Sequence, residues 1–414
     1  MKDCCGGGES LLRLDEALAL AARLVTPVAD TVVLPLQQCY GRVLAEDIQA
    51  RFEVPACNNS AMDGYAIRAE DCRDGGKVRV VGQSLAGHPY AGVLQAGQAI
   101  HITTGAPVPA GADTVVMVED SIEKDGWVRF TAQPDRGQHI RLRGGDVRPG
   151  QPLLAAGRRL RPQDVALAAS QGLASLSVLR RVRVGVFSSG DEVAEPGTVL
   201  PDAGLYDTNR FALIGLLRAM DAEVSDLGIL PDEPWTLRDA ISSAAADHDV
   251  LVTSGGVSVG TADYVKDVIQ ECGTLDFWRL AIKPGKPVAF GSIGHCLVFG
   301  LPGNPVSAIV TFLVFAKPLL YRLQGLSDVE ARDTTAQAAV LETPVHTRRG
   351  RREFLRANLR ARSDGRRTAV PCPAQGSNLL AGLASADCLV DVGEDEDDLP
   401  AGTTVRIIPL SPAG

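Results

Sequence analysis

The sequence predicts a multidomain protein that combines α+β and α/β architecture. The chain has 414 residues, which exceeds the roughly 250–300 residues at which a single hydrophobic core stops growing. Short strand-like runs separated by Gly, Pro and Asp turns occupy residues 51–144, whereas strands alternate with helices in residues 182–325. Residues 327–414 return to short strands, which indicates a small C-terminal β-barrel or sandwich.

The first region is predicted to be helical. An apolar pattern with helical spacing covers residues 11–28, and a second helix is predicted at residues 161–172. These two helices predict a discontinuous helical connecting domain of residues 9–50 and 145–180. The apolar face of the first helix is predicted to contain Leu12, Ala17, Leu20 and Leu24.

A β domain, residues 51–144, is predicted to be inserted into this helical domain. Its strand-like runs recur every 12–20 residues or so, as in all-β modules. Asp63-Gly64 is a dipeptide typical of a β-hairpin turn. The predicted strands are Val78–Val81, Ala99–Thr103, Thr114–Val118 and Trp127–Phe130.

Residues 181–326 are predicted to form an α/β domain. Each of four strands is followed by a helical segment, and this alternation indicates a mostly parallel sheet that is covered on both faces. The C-terminal β-barrel then takes residues 327–414. The four strands are Val182–Phe187, Glu223–Leu230, Val250–Thr253 and Cys296–Phe299.

Composition excludes several classes of function. The net charge is −9, and Arg348–Arg352 is the one basic run, so we expect no nucleic-acid partner. Residues 1–10 do not resemble a signal peptide, and the apolar stretch Ala308–Ala316 is too short to span a bilayer. We therefore expect a cytoplasmic protein that does not bind membranes. The nine cysteines and six histidines are dispersed, which favours reduced thiols over a zinc site.

Three glycine-containing turns follow strands of the predicted α/β sheet: 188–192, 254–258 and 303–305. Ligands bind outside the carboxyl ends of the strands in such sheets, and glycines let backbone N–H groups approach an anion. Together the turns predict a phosphate or nucleotide pocket, although each alone is also explained as a tight loop. The candidate substrate-binding residues here are Ser189, Gly190, Ser254, Gly255, Gly256, Pro302 and Pro305.

Carboxylates fall near the same predicted edge. Glu192 follows one strand, Asp232 follows another, and Asp263 lies at the start of the helix after the Ser-Gly-Gly turn. Oxygen ligands beside a phosphate pocket suit Mg²⁺, which usually keeps several waters. Helix capping is the alternative explanation for Asp232 and Asp263.

Residues 283–287 read Lys-Pro-Gly-Lys-Pro, and the prolines and glycine exclude a helix there. Lys283 and Lys286 are three residues apart in this turn, although the whole chain contains only seven lysines. Two ammonium groups so placed can converge on one tetrahedral oxyanion. A solvated basic loop is the alternative. Residue chemistry alone therefore predicts an enzyme that acts on a phosphorylated or nucleotide substrate.

An ordered set of motifs resembles the family of molybdopterin molybdenumtransferases, which contains the bacterial MoeA proteins and the gephyrin E domain. The resemblance spans nearly the whole chain. It implies an elongated homodimer whose subunit has a helical connecting domain, an inserted β domain, an α/β molybdopterin-binding domain and a C-terminal β-barrel. The motifs are residues 60–66, 104–109, 189–192, 207–209, 254–260, 283–287 and 301–305.

The resemblance also implies a reaction. Molybdate is inserted into adenylylated molybdopterin, the adenylyl bond is hydrolysed in the presence of Mg²⁺, and AMP is released. It implies catalytic roles for Glu192, Asp232 and Asp263, of which Glu192 and Asp232 are associated with the metal. Molybdate binding is implied for Lys283, Lys286, Pro287, Arg351 and Ser377. Substrate contacts reaching the cleft from a partner subunit are implied for Asp63, Thr104, Arg141 and Asp146.

Two other functions are compatible with parts of the sequence. Residues 182–325 alone would suit a molybdopterin adenylyltransferase, which acts one step earlier, but that enzyme would leave the insertion at 51–144 unexplained. A gephyrin-like scaffold that grips a peptide would require fused domains and long linkers, which the sequence does not contain. The resemblance also implies an upstream molybdopterin adenylyltransferase as a partner.

Overall fold

The computed structural model describes residues 11–256, 264–327, 337–362 and 365–410. The chain forms two compact units. The first contains the chain up to Ala45, the segment Ala156–Leu160 and the chain from Leu176 onward. The second contains Glu46–Ala155 and Arg161–Ser175, so the predicted helix near residue 165 belongs with the β domain. The finer division into four domains stays a prediction.

Of the α-helices in the described residues, seven lie in the first unit and α2 lies in the second. Their bounds are α1 Leu14–Leu24, α2 Pro162–Ser170, α3 Asn209–Ala219, α4 Pro234–Asp247, α5 Tyr264–Cys272, α6 Pro305–Thr311, α7 Lys317–Leu323 and α8 Leu380–Ala384. A π-helical turn, Phe312–Ala316, joins α6 to α7.

The buried face of α1 differs from the predicted one. Ala17 and Ala21 are fully buried in the main core, whereas Leu20 and Leu24 are about half exposed. The two stripes are neighbours on a helix of 3.6 residues per turn, so the apolar pattern alone permits either. Helix α1 contacts α7, and the alanine stripe belongs to the same hydrophobic core as the buried residues of α7.

The second unit is built around one six-stranded sheet. Apolar side chains are buried on both faces of this sheet, as the alternation of Tyr65, Ala66 and Ile67 shows. The strand order is β7-β4-β6-β5-β9-β8, and two short pairs, β3 with β10 and β2 with β11, complete the unit. The strands are β2 Ile48–Gln49, β3 Asn59–Ser60, β4 Gly64–Ile67, β5 Lys77–Ser84, β6 Gln98–Ile102, β7 Thr114–Met117, β8 Ser121–Lys124, β9 Trp127–Phe130, β10 Ile140–Arg141 and β11 Pro152–Leu154.

The Asp63-Gly64 dipeptide does not form the predicted hairpin. The strands on either side of it, β3 and β4, belong to different sheets. Gly64 instead opens β4 where the Val116 carbonyl lies so close that a side chain would collide with it. The glycine is therefore required by close backbone approach, which a dipeptide pattern cannot distinguish from a turn.

The α/β region of the first unit contains a six-stranded sheet of order β16-β13-β17-β21-β20-β18. The first four strands are parallel, β20 runs antiparallel to β21, and β18 runs antiparallel to β20. Helices α3 and α6 pack on one face, and α4 and α5 pack on the other. The strands here are β13 Arg183–Ser189, β14 Val193–Ala194, β15 Leu205–Tyr206, β16 Glu223–Leu230, β17 Val250–Ser254, β18 Thr274–Arg279, β20 Pro287–Ile293 and β21 Cys296–Leu301.

The C-terminal region forms a closed barrel of five strands. The order β24-β25-β22-β28-β26 returns to β24 through a further pairing of β26 with β24, and β19 adds to the outside of β24. The strands are β19 Ile282–Lys283, β22 Gln337–Leu341, β23 Val345–His346, β24 Arg352–Ala361, β25 Arg367–Pro371, β26 Cys388–Val392, β27 Asp398–Leu399 and β28 Thr404–Pro409. Near the N-terminus, β1 Thr31–Pro35 pairs with β12 Ser175–Leu179.

The continuous helix Pro305–Leu323 is longer than the predicted apolar stretch. By length and composition it could cross a membrane, but 78% of its apolar window is buried inside the protein. Phe315 on this helix packs against Phe290 and Phe299 of the sheet, with ring centroids 5.8 and 5.9 Å away. These contacts are those of a core helix.

Candidate functional site

A cavity of about 790 Å³ opens at the carboxyl ends of the parallel strands in the first unit. Most of its lining comes from the turns after β13, β17 and β21 and from the start of α3, and we call this surface the sheet wall. Asn378 and Leu380, from the segment between two barrel strands, also line it, and we call this part the barrel wall. The sheet wall contains Ser188, Ser189, Glu192, Asp207, Thr208, Asn209, Ser254, Gly255, Pro302, Gly303, Asn304, Pro305 and Ser307.

Glycines bring two of the predicted turns into direct contact. Gly255 and Gly256 have φ values of +97° and +66°, a region that favours glycine. A side chain on Gly255 would lie 2.6 Å from the Ser189 carbonyl oxygen, and one on Gly256 would lie 2.8 Å from the Ser189 hydroxyl. The Gly255 N–H donates to the Leu301 carbonyl at 3.2 Å, which ties the β17 turn to the end of β21.

Asn209 joins the start of α3 to the other two strand ends. Its side-chain amide donates to the Ser254 hydroxyl and to the Gly303 carbonyl, both at 2.7 Å. The Ser254 hydroxyl in turn donates to the Pro302 carbonyl at 3.1 Å. These bonds fix the spacing of the strand ends on which the sheet wall depends.

Two buried hydroxyls on the sheet wall have no partner among the described residues. Ser188 and Ser189 are 2% and 4% exposed, and both line the cavity. Buried polar groups are normally hydrogen-bonded, so an unpaired hydroxyl on a cavity surface indicates a place for a polar ligand atom.

A buried arginine supports the sheet wall from behind. The Arg210 guanidinium donates to Asp207 at 2.9 Å and also pairs with Asp226 and Glu195. Burial acts to lower the pKa of Arg210, but the bonds to Asp207 and Asp226 outweigh it and the pKa is raised. Burial would likewise raise the pKa of Asp226, yet the Arg210 hydrogen bond lowers it overall.

Two of the predicted carboxylates lie near each other. The Asp232 N–H donates to the Asp191 carboxylate at 3.4 Å, which places Asp232 beside the turn that carries Glu192. Gly190 has a φ of +136°, and a side chain there would lie 2.8 Å from the Glu192 carboxylate. Glu192 lines the cavity, whereas Asp232 does not. The predicted Asp263 lies outside the described residues.

The carboxylates of this site have the oxygen ligands that Mg²⁺ prefers. No three His, Cys, Asp or Glu side chains of the described residues form a ready metal cage. Mg²⁺ is usually held by one or two carboxylates, waters and substrate phosphates, so a cage is not required. The Glu192 carboxylate lines the cavity and forms no ion pair with another described residue. Its hard oxygen ligands fit the ion.

The 283–287 turn reaches the cavity through Pro287, which is one of its lining residues. Gly285, with a φ of +112°, packs on α6 so closely that a side chain would lie 2.3 Å from the Thr311 hydroxyl. The Lys283 ammonium donates to both carboxylate oxygens of the buried Glu353, at 3.0 and 3.2 Å. Lys286 is exposed and makes no ion pair within the described part of the chain.

The two predicted C-terminal contributors lie on different segments. Parallel pairing of β19 with β24 aligns Ile282 with Arg352, so Arg351 adjoins the strand that leads into the 283–287 turn. Ser377 accepts a hydrogen bond at its carbonyl from the Val306 N–H, 3.1 Å away, at the first turn of α6. Its neighbour Asn378, which the sequence did not single out, lines the cavity.

The remaining four predicted residues all lie in the second unit. The Thr104 N–H donates to the Asp63 carboxylate at 2.6 Å, and this bond lowers the pKa of Asp63. Arg141 lies in β10 opposite Asn59. Asp146 is exposed and donates its N–H to the Val54 carbonyl at 3.0 Å. The structure thus joins Asp63 to Thr104 within this unit.

Sequence reasoning missed several residues that build the cavity. Asn209 and Asn304 stand in motifs that were noticed, and an amide at a strand end was the available signal. Asn378 directly follows the predicted Ser377 in the sequence. Glu353 and Arg356 gave no signal, because charged residues within a strand pattern are ordinarily assigned to its solvent face.

Three family models match consecutive parts of the chain. The model of the MoeA N-terminal region (domain I and II) matches residues 12–172. The model described as a probable molybdopterin binding domain matches residues 185–322. The model of the MoeA C-terminal region (domain IV) matches residues 338–410. The cavity lies in the region matched by the second and third models.

Two similar proteins are named as molybdopterin molybdenumtransferases, and one similar solved structure is a MoeA protein. A molybdopterin molybdenumtransferase of Haemophilus influenzae is 38% identical, with 97% of this chain and 99% of the relative covered. Molybdopterin molybdenumtransferase 2 of Mycobacterium tuberculosis is 36% identical over 92% and 95%. A crystal structure of the molybdopterin biosynthesis MoeA protein of Pyrococcus horikoshii has a TM-score of 0.84 at 28% identity, covering 96% and 100%. The chain therefore belongs to the MoeA family of molybdopterin molybdenumtransferases.

Proposed function

We propose that this protein inserts molybdenum into molybdopterin during molybdenum cofactor biosynthesis, with adenylylated molybdopterin and molybdate as its substrates. The observation that carries the proposal is the cavity at the strand ends. It combines unpaired buried hydroxyls at Ser188 and Ser189 with a wall that includes Pro287 of the lysine turn. A phosphorylated substrate and a metal oxyanion can therefore be bound side by side.

The sheet wall binds the adenylylated substrate in this proposal. The Ser188 and Ser189 hydroxyls donate to its phosphate oxygens, and glycine at positions 190 and 256 lets backbone N–H groups approach the same anion. Gly255 shapes the turn, since its N–H is bonded to the Leu301 carbonyl. Pro302 and Pro305 fix the adjoining turn. Ser254 is held by Asn209, so its role is to keep the turns in register.

The 283–287 turn and the nearby C-terminal residues bind molybdate in this proposal. Lys286 and Arg351 supply positive charge, and Pro287 shapes the adjoining surface. Lys283 is half exposed and already paired with Glu353, so it contributes a fixed rather than a mobile charge. Ser377 is expected to add a hydroxyl from the C-terminal region.

Hydrolysis requires a water molecule to attack the adenylyl phosphate while the bridging oxygen leaves. Glu192 and Asp232 would hold Mg²⁺, which would offset phosphate charge when bound. Orienting the attacking water is the alternative role of Asp232 in this proposal, and Asp263 is assigned a supporting role as a further acidic residue. The products are AMP and the molybdenum-loaded cofactor.

The proposal includes a cytoplasmic homodimer with a shared site. Asp63 of the partner subunit and Thr104 of the partner subunit, joined by the 2.6 Å hydrogen bond, would contact the substrate with Arg141 of the partner subunit and Asp146 of the partner subunit. Mixed dimers that combine a Thr104 variant with a Glu192 variant should recover part of the activity. No recovery would remove the shared site from the proposal.

AMP release from adenylylated molybdopterin is the deciding experiment. We expect release by the purified protein to depend on both molybdate and Mg²⁺, with cofactor formed in equal amount. ATP consumption with pyrophosphate release would instead identify an adenylyltransferase. Absence of both activities, in a protein that binds the adenylylated substrate, would contradict catalysis and favour a binding role.

A further inference from the structure

The barrel wall is organised around Arg356, a residue of β24 that is only 1% exposed. Its guanidinium donates to three backbone carbonyls, those of Leu379 at 2.7 Å, Ala374 at 2.8 Å and Gly376 at 3.1 Å. All three acceptors belong to one segment, which we call loop 374–379. The loop is therefore folded around a single planar fork of N–H donors.

Gln375 locks the same segment to the strand. Its side-chain oxygen accepts from the Arg356 N–H at 3.0 Å, and its amide donates to the carbonyls of Arg356 and Cys372 at 3.0 and 2.9 Å. Arg356 has no carboxylate partner among the described residues, and burial lowers its pKa. This buried cation is satisfied by the loop rather than by an ion pair.

The far side of the loop meets the cavity. The Ser377 carbonyl accepts from the Val306 N–H at the start of α6. Asn378, the next residue, lines the cavity with an exposed side chain. The loop is thus attached to the barrel by Arg356 and to helix α6 by Val306, and Asn378 lies in the segment that carries both attachments.

We infer that Arg356 is a positioning residue that holds the Asn378 amide where it donates to an oxyanion oxygen of the bound substrate. This inference rests on the proposed function, which supplies two oxyanions, the substrate phosphate and molybdate. Arg356 itself does not touch the substrate. It acts by fixing loop 374–379, because a rigid amide donor binds an anion without first losing conformational freedom.

The test compares three variants of the full-length protein in the AMP-release assay. Arg356→Lys keeps the charge but cannot span three carbonyls, and Asn378→Ala removes the donor alone. Arg352→Met is the control. Arg352 lies on the same strand as Arg356, and this variant removes its ion pair with the buried Asp391 of β26 while leaving the loop's bonds intact. The concentrations of molybdate and of adenylylated molybdopterin that give half-maximal rate are measured separately.

Arg356→Lys and Asn378→Ala should each raise one of these two concentrations by about tenfold or more, the usual cost of losing a group that orients a ligand. Both variants should raise the same one, which identifies the oxyanion, while Arg352→Met leaves both unchanged. Amide exchange should be faster in loop 374–379 of Arg356→Lys but unchanged in β26.

Two results would overturn the inference. One is an Asn378→Ala protein with both half-maximal concentrations unchanged, a measurement that does not depend on the Arg356 variant folding. The other is faster exchange in the loop of Arg356→Lys without any change in either concentration. A wild-type protein that releases no AMP would instead count against the proposed function.

Discussion

The sheet wall is held by short contacts within one sheet edge, whereas the barrel wall is held by one buried guanidinium. On the sheet wall, Asn209 and two glycine turns bring strand ends together that the parallel topology already places side by side. On the barrel wall, Arg356 gathers a loop that no ladder of strand hydrogen bonds would hold there. The first wall follows from topology, whereas the second depends on long-range side-chain contacts, chiefly those of Arg356 and Gln375.

The two walls also satisfy buried arginines differently. Arg210 behind the sheet wall is surrounded by three carboxylates, from Asp207, Asp226 and Glu195. Arg356 behind the barrel wall is bound by neutral carbonyls. The stability of an ion-pair network changes with pH and with the loss of one charged partner. The stability of an arginine bound by backbone carbonyls depends instead on whether the donor can reach all of its acceptors. Substitutions on the two walls are therefore expected to affect reaction rate, substrate binding and stability to different extents.

The largest expected effect is on the rate of AMP release, with substrate binding nearly unchanged, when Glu192 of the sheet wall is replaced. Glu192→Gln should lower the rate of AMP release by about a hundredfold or more, because an amide replaces the carboxylate proposed to hold Mg²⁺ near the phosphate. Binding of adenylylated molybdopterin, measured by calorimetry, should change little. Glu195→Gln is the matched control, since Glu195 lies in the same segment, pairs with Arg210 and does not line the cavity. Equal losses in both variants would contradict the role of Glu192.

The second prediction concerns the joint between strand ends. Asn209→Ala removes two hydrogen bonds and leaves the Gly303 carbonyl without its donor. We expect the free energy of unfolding to fall by about 1–3 kcal/mol. The half-maximal concentration of adenylylated molybdopterin should rise while that of molybdate stays constant. Asn209→Asp, which keeps the shape but not the donor, should be no better than alanine; wild-type behaviour there would show that the amide is not a joint.

The sequence predicts the residues of the sheet wall better than those of the barrel wall. Strand-then-turn patterns placed Ser189, Gly255 and Pro305 at one edge, because carboxyl ends of parallel strands must meet. The same reasoning could not find Asn378 or Arg356, since their meeting depends on how the barrel closes. The buried stripe of α1 was missed for a related reason, as its partner α7 lies far along the chain. Local sequence patterns therefore predict the residues that sheet topology brings together. Residues whose contacts depend on long-range packing cannot be predicted in this way.

The third prediction compares Lys283 and Lys286, to which the sequence assigns the same role in molybdate binding. Lys286→Ala should raise the half-maximal molybdate concentration without changing stability, because Lys286 makes no ion pair with the described residues. Lys283→Ala should also lower the free energy of unfolding, by about 1–3 kcal/mol, because the buried Glu353 loses its partner. Molybdate titrations and urea unfolding of both variants measure this difference.

A double variant tests the origin of that loss. The double variant Lys283→Ala with Glu353→Gln removes the buried charge together with its partner. Relative to Lys283→Ala alone, its free energy of unfolding should partly recover, while the half-maximal molybdate concentration should stay raised. Recovery of both would show that Lys283 acts on molybdate only through the fold. Recovery of neither would show that Glu353 does not account for the instability.

The smallest expected effect is a difference in acid sensitivity between the walls. The pKa of Asp226 is lowered in the folded protein, because the Arg210 hydrogen bond outweighs the opposing effect of burial. A carboxyl group whose pKa is lowered by folding stabilises the folded protein at pH values above its pKa in the unfolded chain, about 3.9. This contribution is lost as the pH falls through the pKa of the folded protein. Arg356 binds carbonyls, which do not titrate in this range. Amide exchange compared at about pH 6 and pH 3, corrected for intrinsic rates, should therefore show earlier loss of protection at the start of α3 than in loop 374–379. Simultaneous loss would mean that the two buried arginines share one cooperative unit, because separate supports cannot otherwise fail together.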